Sequence, residues 1–337
     1  MSITSRTAIL SFGIALSALP AMAADKIDVG VLRFVSSGGV YLAYDRGYFT
    51  AEGLEVKLNY FEAAQPIAVA AASGDVNFGV TAITAGSINL AAKGAIKIIA
   101  SQGAEKKGYK GNEFVVSNAA YARGVTSVDK ISGISFAITQ VGSSQHYMMG
   151  QMLAKQKLGM DKVQWKPLQD VPSLAAAVRG GSVDGTFLTP IVAKPLIDRG
   201  EIKHVAFVSE VIDYQYGAVF ASAKTLSATP DLARKFLRAY QKGNSDYAKA
   251  FLRLDAKGEL IVDADSQAAA LQIAKYVVPN LEPEKGAANV IAGIAYVEGS
   301  AKLELSEVEQ QLVWYKSEKM VADNVALSAI VDTSFLP

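Results

Sequence analysis

Ile27, Val29 and Val31 fall on alternate positions near the start of the chain, the period of a strand with one buried face. A Val-Ser-Ser-Gly-Gly turn follows over 35–39, read as flexible, and Val40 to Arg46 then reads as a short helix stopped by Gly47. Leu54 to Tyr60 is a second strand pattern, and Pro66 stands in the first turn of a helix reaching Ala72. Val76 to Ala82 and Ile96 to Ala100 are further strands. Strand and helix in strict alternation predict a parallel sheet with crossover helices.

A polar loop, Gln102 to Asn112, leads to a short extended stretch, Glu113 to Ser117, predicted as a first crossing to a second unit. That unit repeats the pattern. Ile134 to Ile138 is a strand, Ser144 to Leu158 a helix stopped by Gly159, and Val163 to Leu168 a strand. Pro172 to Arg179 is a helix, and Val183 to Leu188 and His204 to Val208 are strands. Tyr216 to Ala221 is predicted as the return crossing. Thr229-Pro230-Asp231 then starts a helix whose apolar stripe is Leu232, Phe236, Leu237 and Tyr240. Ser306 and Glu309 read as a capping box. The last third is therefore expected to be helical, packed around the first unit, with no strand of its own.

One internal echo links the halves. Ala70 to Asn77 (AAASGDVN) aligns with Ala177 to Asp184 (AVRGGSVD), each a helix end, a Gly turn and a strand start. Such turns recruit Gly and Asp in any protein, but the matching flanks favour repeated topology.

Composition bounds the setting. Of 337 residues, 50% are hydrophobic and 19% charged, enough for two cores. The net charge of +1 and the lack of a basic run interleaved with aromatics point away from nucleic acid. Arg6 precedes an apolar run from Ala8 to Leu19 and then Ala21-Met22-Ala23, the order of a cleaved export signal over residues 1–23. With no cysteine, disulfides, Cys-ligated metal and lipid attachment at Cys are excluded. The expectation is export in soluble form, to a Gram-negative periplasm.

Catalytic signatures are absent. The two histidines, His146 and His204, lie in different elements, and no metal-binding spacing, Walker loop, G-x-S-x-G elbow or dinucleotide fingerprint occurs. No cofactor is expected. The chain reads as a binder of a small solute.

Solutes of open α/β sheets bind beyond the carboxyl ends of the strands. Those ends place Ser36, Ser37 and Gly38, then Gln65, then Thr81 and Ala82, at a first edge. Gly142, Ser143, Ser144 and Gln145, with Thr189, form the facing one. Tyr214, with Tyr41 and Tyr216, is a candidate wall. The turn at 142–144 opens a helix, so its N–H groups and the helix dipole are the expected counter-charge for an anion. His146, in the first turn, reads either as a packing residue or as a donor to the solute. Arg33 is the nearest cation.

Five segments together resemble the nitrate/sulfonate/taurine-type periplasmic binding proteins. They are Gly47 to Val56 (GYFTAEGLEV), Ser73 to Gly79 (SGDVNFG, with Asn77 where Asp is usual), a degraded Ser127 to Gly133, Gly142 to His146 (GSSQH) and Gly180 to Gly185 (GGSVDG). The resemblance implies a type II periplasmic binding protein, with two doubly wound α/β domains joined by two crossing segments. Domain 1 would comprise 24–116 and 219–337, and domain 2 would comprise 117–218. It implies a monomer that traps a sulfonate, carboxylate or pyrimidine-like solute and hands it to the membrane permease of an ABC importer. It also supports His146 as a solute contact. Two alternatives share the fold: an enzyme of the pyrimidine-synthesis type, whose cysteine-rich motif is missing here, and a periplasmic sensor partner.

Overall fold

The computed structural model describes residues 24–337, so the leader expected over 1–23 lies outside the described residues. The chain opens with β1 (Asp25–Leu32), a single 3-10 turn at Val35–Ser37, α1 (Gly38–Asp45) and α2 (Tyr48–Ala51). Next come β2 (Leu54–Phe61), α3 (Ala64–Ser73), β3 (Phe78–Ala82), α4 (Ala85–Ala92), β4 (Ile96–Ser101) and β5 (Gly103–Glu105). A second run follows: β6 (Glu113–Ser117), α5 (Asn118–Ala122), β7 (Ser135–Ile138), α6 (Ser144–Lys155), β8 (Gln164–Pro167) and α7 (Val171–Gly180). It continues with β9 (Gly185–Leu188), α8 (Pro190–Asp198), β10 (Ile202–Phe207), β11 (Tyr214–Gln215) and β12 (Gly217–Ser222). The remainder is α9 (Ala223–Ala228), α10 (Pro230–Phe251), α11 (Ala264–Val277), α12 (Pro283–Ala292), β13 (Tyr296–Val297), α13 (Leu305–Ser317) and α14 (Leu327–Ile330).

The two large sheets have one topology. The first is ordered β2-β1-β3-β12-β4 and the second β8-β7-β9-β6-β10. In each, the second strand of that order, β1 or β7, pairs in parallel with its two neighbours, while the fourth position holds an antiparallel strand. That antiparallel strand is the one that has just arrived from the other unit: β6 in the second sheet, β12 in the first.

This corrects the placing of the crossings. Glu113–Ser117 and the stretch around Tyr216–Ala221 are strands inside the sheets, and the expected boundaries at 116 and 218 fall within β6 and β12. The reason is burial. Every residue of both strands is buried, and runs such as Phe114-Val115-Val116 and Ala218-Val219-Phe220 are too apolar to bridge domains through solvent. The chain crosses just upstream of each strand.

The C-terminal third is mostly helical but does contribute a strand. β13 pairs with β5, and β11 pairs with the other edge of β5, making a small third sheet beside the crossings. α10 lies across α1, where Gly39 and Gly243 allow close approach; a Cβ on Gly39 would overlap the Asn244 amide. Gly38 and Gly39 are thus buried helix residues, and the stretch read as a flexible turn is packed against α10. α13 reaches α6 as well as α4, so the tail packs on both units. The expected capping box does not form: α13 starts at Leu305 after Glu304, and the Ser306 hydroxyl donates to the Glu304 carboxylate at 2.9 Å. α6 ends at Lys155, and the left-handed residue behind it is Lys157 (φ 59°) rather than Gly159. One buried apolar cluster runs from Ile88 and Phe220 through Tyr214, Tyr216 and Tyr315 to Phe136 and Met149, joining the two sheets' cores.

Candidate functional site

The carboxyl edges of the two sheets face each other across a cavity. Parallel strands deliver their C-terminal ends to it. β1 brings Leu32, Phe34 and Ser36; the turn after β2 brings Ala63 and Ala64; β3 brings Ala82, and β4 brings Gln102. From the second sheet, β7 brings Thr139, Ser143, Ser144 and Gln145, and β9 brings Phe187, Leu188 and Thr189. The antiparallel strands present their amino ends at the same edge, which is why Asn112, just before β6, and Tyr216, just before β12, complete the lining. Val171 closes the far side.

The lips are in contact. Val171 N–H donates to the Glu62 carbonyl at 3.2 Å, and Ala85 N–H donates to the Gly142 carbonyl at 2.9 Å. Tyr315 of α13 adds a hydroxyl bond to the Ser143 carbonyl at 3.3 Å.

None of the lining residues is Asp, Glu, Lys, Arg or His. Helix N-termini supply the polarity instead: α3, α6 and α8 begin at this cavity, while the first N–H groups of α7 are taken by the Glu62 carbonyl and the Asp170 side chain or missing at Pro172. The unbonded first-turn N–H groups of such helices have no intrahelical acceptor and carry partial positive charge. In α6 these groups are sorted. Ser143 caps the helix by accepting from His146 N–H at 3.3 Å, and its own N–H donates to the Gln140 carbonyl at 3.1 Å. Gly142 N–H donates to His146 Nδ1 at 3.2 Å. The Ser144 and Gln145 N–H groups have no acceptor among the described residues. Gln145 pins the two strand ends together, since its Oε1 accepts from Thr139 N–H at 2.9 Å and its Nε2 donates to the Phe187 carbonyl at 3.2 Å. Gln102 Oε1 and Thr189 Oγ1 are buried without hydrogen-bond partners among the described residues.

Seven of the expected residues therefore line the cavity: Ser36, Ala82, Ser143, Ser144, Gln145, Thr189 and Tyr216. The others stand outside its lining. Ser37 lies behind Ser36, within 3.4 Å of Gln102 Nε2, and Gly38 is packed on α10. Gln65 Oε1 accepts from the Thr84 hydroxyl at 2.6 Å, tying α3 to α4. Thr81 and Tyr214 are buried with unpartnered hydroxyls, and Gly142, at φ 82°, shapes the turn. His146 is packed edge-on against Trp165 and Trp314, and burial lowers its pKa to about 4. It is a neutral packing histidine. Arg33 stacks on the Tyr60 ring at 3.6 Å and donates to the Tyr276 carbonyl, away from the cavity lining.

Sequence reading missed Gln102, Asn112 and Thr139. Gln102 and Thr139 directly follow strands already recognised, so the strand-end rule applied to them would have found both. Asn112 needs knowledge that β6 runs antiparallel, which no local pattern shows.

The sequence matches the family model described as NMT1/THI5 like over residues 35–250, and the chain belongs to that family. No curated protein matches the sequence. Among solved structures, the alkanesulfonate-binding protein SsuA from Xanthomonas axonopodis pv. citri, bound to MOPS, superposes with a TM-score of 0.69 at 17% identity. The match covers 93% of this chain and 99% of that one. The ligand-binding component of an ABC-type import system from Staphylococcus aureus, with zinc bound, gives 0.70 at 14% identity, covering 92% and 97%. The desulfurization enzyme DSZB gives 0.62 at 14% identity, covering 93% and 97%. At these identities the likeness is one of fold, and that fold is the periplasmic binding protein arrangement.

Proposed function

We propose, from the chain's place in the NMT1/THI5-like family and from its cavity, that the protein is a periplasmic solute-binding protein. It captures a small organic anion or heteroaromatic, of the sulfonate, carboxylate or pyrimidine-like classes, and delivers it to the permease of an ABC importer. The observation that carries this reading is the cavity on which helix N-termini converge from both sheets with no basic side chain in the lining. Dipoles fixed in the fold can hold a negative group without the desolvation cost of a buried lysine or arginine. Phe34, Phe187 and Leu188 give the apolar surface that suits the organic part of such a solute. The alkanesulfonate-binding neighbour agrees in solute type.

The division into two clamping domains, the export signal over residues 1–23 and a monomeric state belong to the same proposal. A binder is favoured over an enzyme, because Tyr216 is the only ionisable residue in the lining and the chain has no cysteine. Burial also raises the Tyr216 hydroxyl far from neutrality.

Native mass spectrometry of protein purified from the periplasm of its host tests the reading. A retained small anion or heteroaromatic, lost on unfolding, is the expected result. Retention of a cationic solute, or turnover of a retained solute to a released product, would overturn it.

A further inference from the structure

One buried group beside the cavity is not used by the solute-binding reading. Glu105, in β5, is fully buried. Its Oε1 accepts from Asn112 Nδ2 at 2.6 Å, and its Oε2 has no partner among the described residues. The first crossing wraps the carboxyl so closely that a Cβ on Gly111 would come 2.6 Å from Oε2. Asn112 lines the cavity. An ionisable group therefore stands one hydrogen bond behind a residue that meets the solute.

A carboxylate can only accept hydrogen bonds. While ionised, Glu105 holds Asn112 by its amino group and leaves the amide oxygen for the cavity. A neutral carboxylic acid also donates, so its O–H can take the Asn112 oxygen once the amide turns over. The amino group then faces the solute. We propose that Glu105 is a positioning residue that couples solute binding to proton uptake by setting which face of the Asn112 amide meets the solute. The inference rests on the reading of this cavity as an anion site, because an anion prefers the donor face.

The surroundings of Glu105 favour this role. Asp213, on the second crossing, disfavours the ionised form. Tyr214 and Tyr216 lie beside it, and burial keeps both hydroxyls neutral. Lys106, the next residue, is engaged by Asp213 and by Glu307 of α13. Tyr296 of the neighbouring β13 donates to Glu298 at 3.1 Å. Burial raises the Glu105 pKa to about 7, with the Asn112 bonds opposing and Asp213 reinforcing the shift.

Two measurements on the full chain test the proposal. The first is the side-chain amide NMR signal of Asn112 without solute, assigned by its loss in Asn112→Ala. It should shift with a midpoint near neutral pH in the wild type and stay flat in Glu105→Gln. A signal that does not titrate, or that titrates equally in Glu105→Gln, overturns the proposal. The second is calorimetry with butanesulfonate, which carries no titrating group across this range. Wild-type affinity should weaken by up to about tenfold per pH unit as Glu105 ionises. Glu105→Gln should bind independently of pH, near the wild-type low-pH value. Should that variant fail to fold, Asn112→Ala should lose the same pH dependence. Wild-type affinity that is constant across neutral pH also overturns the coupling. If the amide titrates but butanesulfonate binds at no pH, the switch stands and the anion reading of the cavity fails.

Discussion

Asn77 and Asp184 make the same pair of bonds on two different sheets. Asn77 Oδ1 accepts from Asp28 N–H at 2.9 Å, and Asn77 N–H donates to the Asp28 carbonyl at 2.8 Å. Asp184 Oδ2 accepts from Ser135 N–H at 2.9 Å, and Asp184 N–H donates to the Ser135 carbonyl at 3.0 Å. Each residue follows a left-handed glycine, Gly74 or Gly181, that ends a helix, and each sets the third strand of its sheet, β3 or β9, against β1 or β7.

A graded response at Asp184 follows. Asp184→Ala leaves the Ser135 N–H without an acceptor, at a cost of about 1–3 kcal/mol. Asp184→Asn keeps the acceptor and loses only the charge pairing with Arg123, whose side chain is more than half exposed, so it should cost about 1 kcal/mol or less. Urea denaturation separates the two. Equal losses would assign the role to the ion pair.

Gly39→Ala tests the crossing of α1 and α10. In an open helix, Ala in place of Gly stabilises. Here the added methyl overlaps the Asn244 amide, so overpacking should cost about 1–3 kcal/mol. A thermal melt that rises on substitution would show that α10 can retreat.

The repeated topology and a cavity at the carboxyl edges were legible in the sequence because both depend on local signals. Apolar runs mark the strands, and Gly-containing turns mark the helix ends, as in the Ala70–Asn77 and Ala177–Asp184 echo. The crossings were misplaced because β6 and β12 are short, and nothing local distinguishes a buried antiparallel strand from an extended linker. Ser36, Ala82, Ser143, Ser144, Gln145 and Thr189 could be assigned from strand ends alone. Asn112 could not, since its place depends on the direction of β6. Tertiary packing also decided His146: its position in the helix allows it to face a solute, but Trp165 and Trp314 enclose it.

His146 should make stability depend on acid. Burial holds its folded pKa near about 4, below the ordinary 6.5. The unfolded chain therefore binds the extra proton between those values, and stability rises with pH across that window. It is fully present above about pH 6.5 and is lost as pH falls towards about 4, by up to about 3 kcal/mol. His146→Gln should flatten that part of the stability profile measured by urea denaturation. An unchanged acid limb would mean that other groups carry it.

Ser144→Pro tests the anion end of the cavity with little risk to the fold. Ser144 is the first residue of α6, where proline's fixed φ suits the helix and its missing N–H breaks no helical bond. Ser143, before it, already holds the extended conformation that a following proline requires (φ −69°, ψ 166°). The variant therefore removes one donor N–H and one hydroxyl from the lining. A hydrogen bond to a charged group contributes about 1.5–3 kcal/mol, so affinity should fall by roughly 10- to 150-fold. Ser144→Ala should cost less, because its N–H survives. Gly142 behaves differently: its N–H already serves His146, and a Cβ there would meet Ala85 at 2.8 Å in a left-handed backbone. Substitution of Gly142 should therefore lower the melting temperature and hinder closure rather than remove a solute donor. Calorimetry with the solute retained from the host gives the answer. If Ser144→Pro melts as the wild type does and binds as tightly, the anion does not sit on α6. The unpartnered Thr189 hydroxyl at the head of α8 then becomes the next position to test.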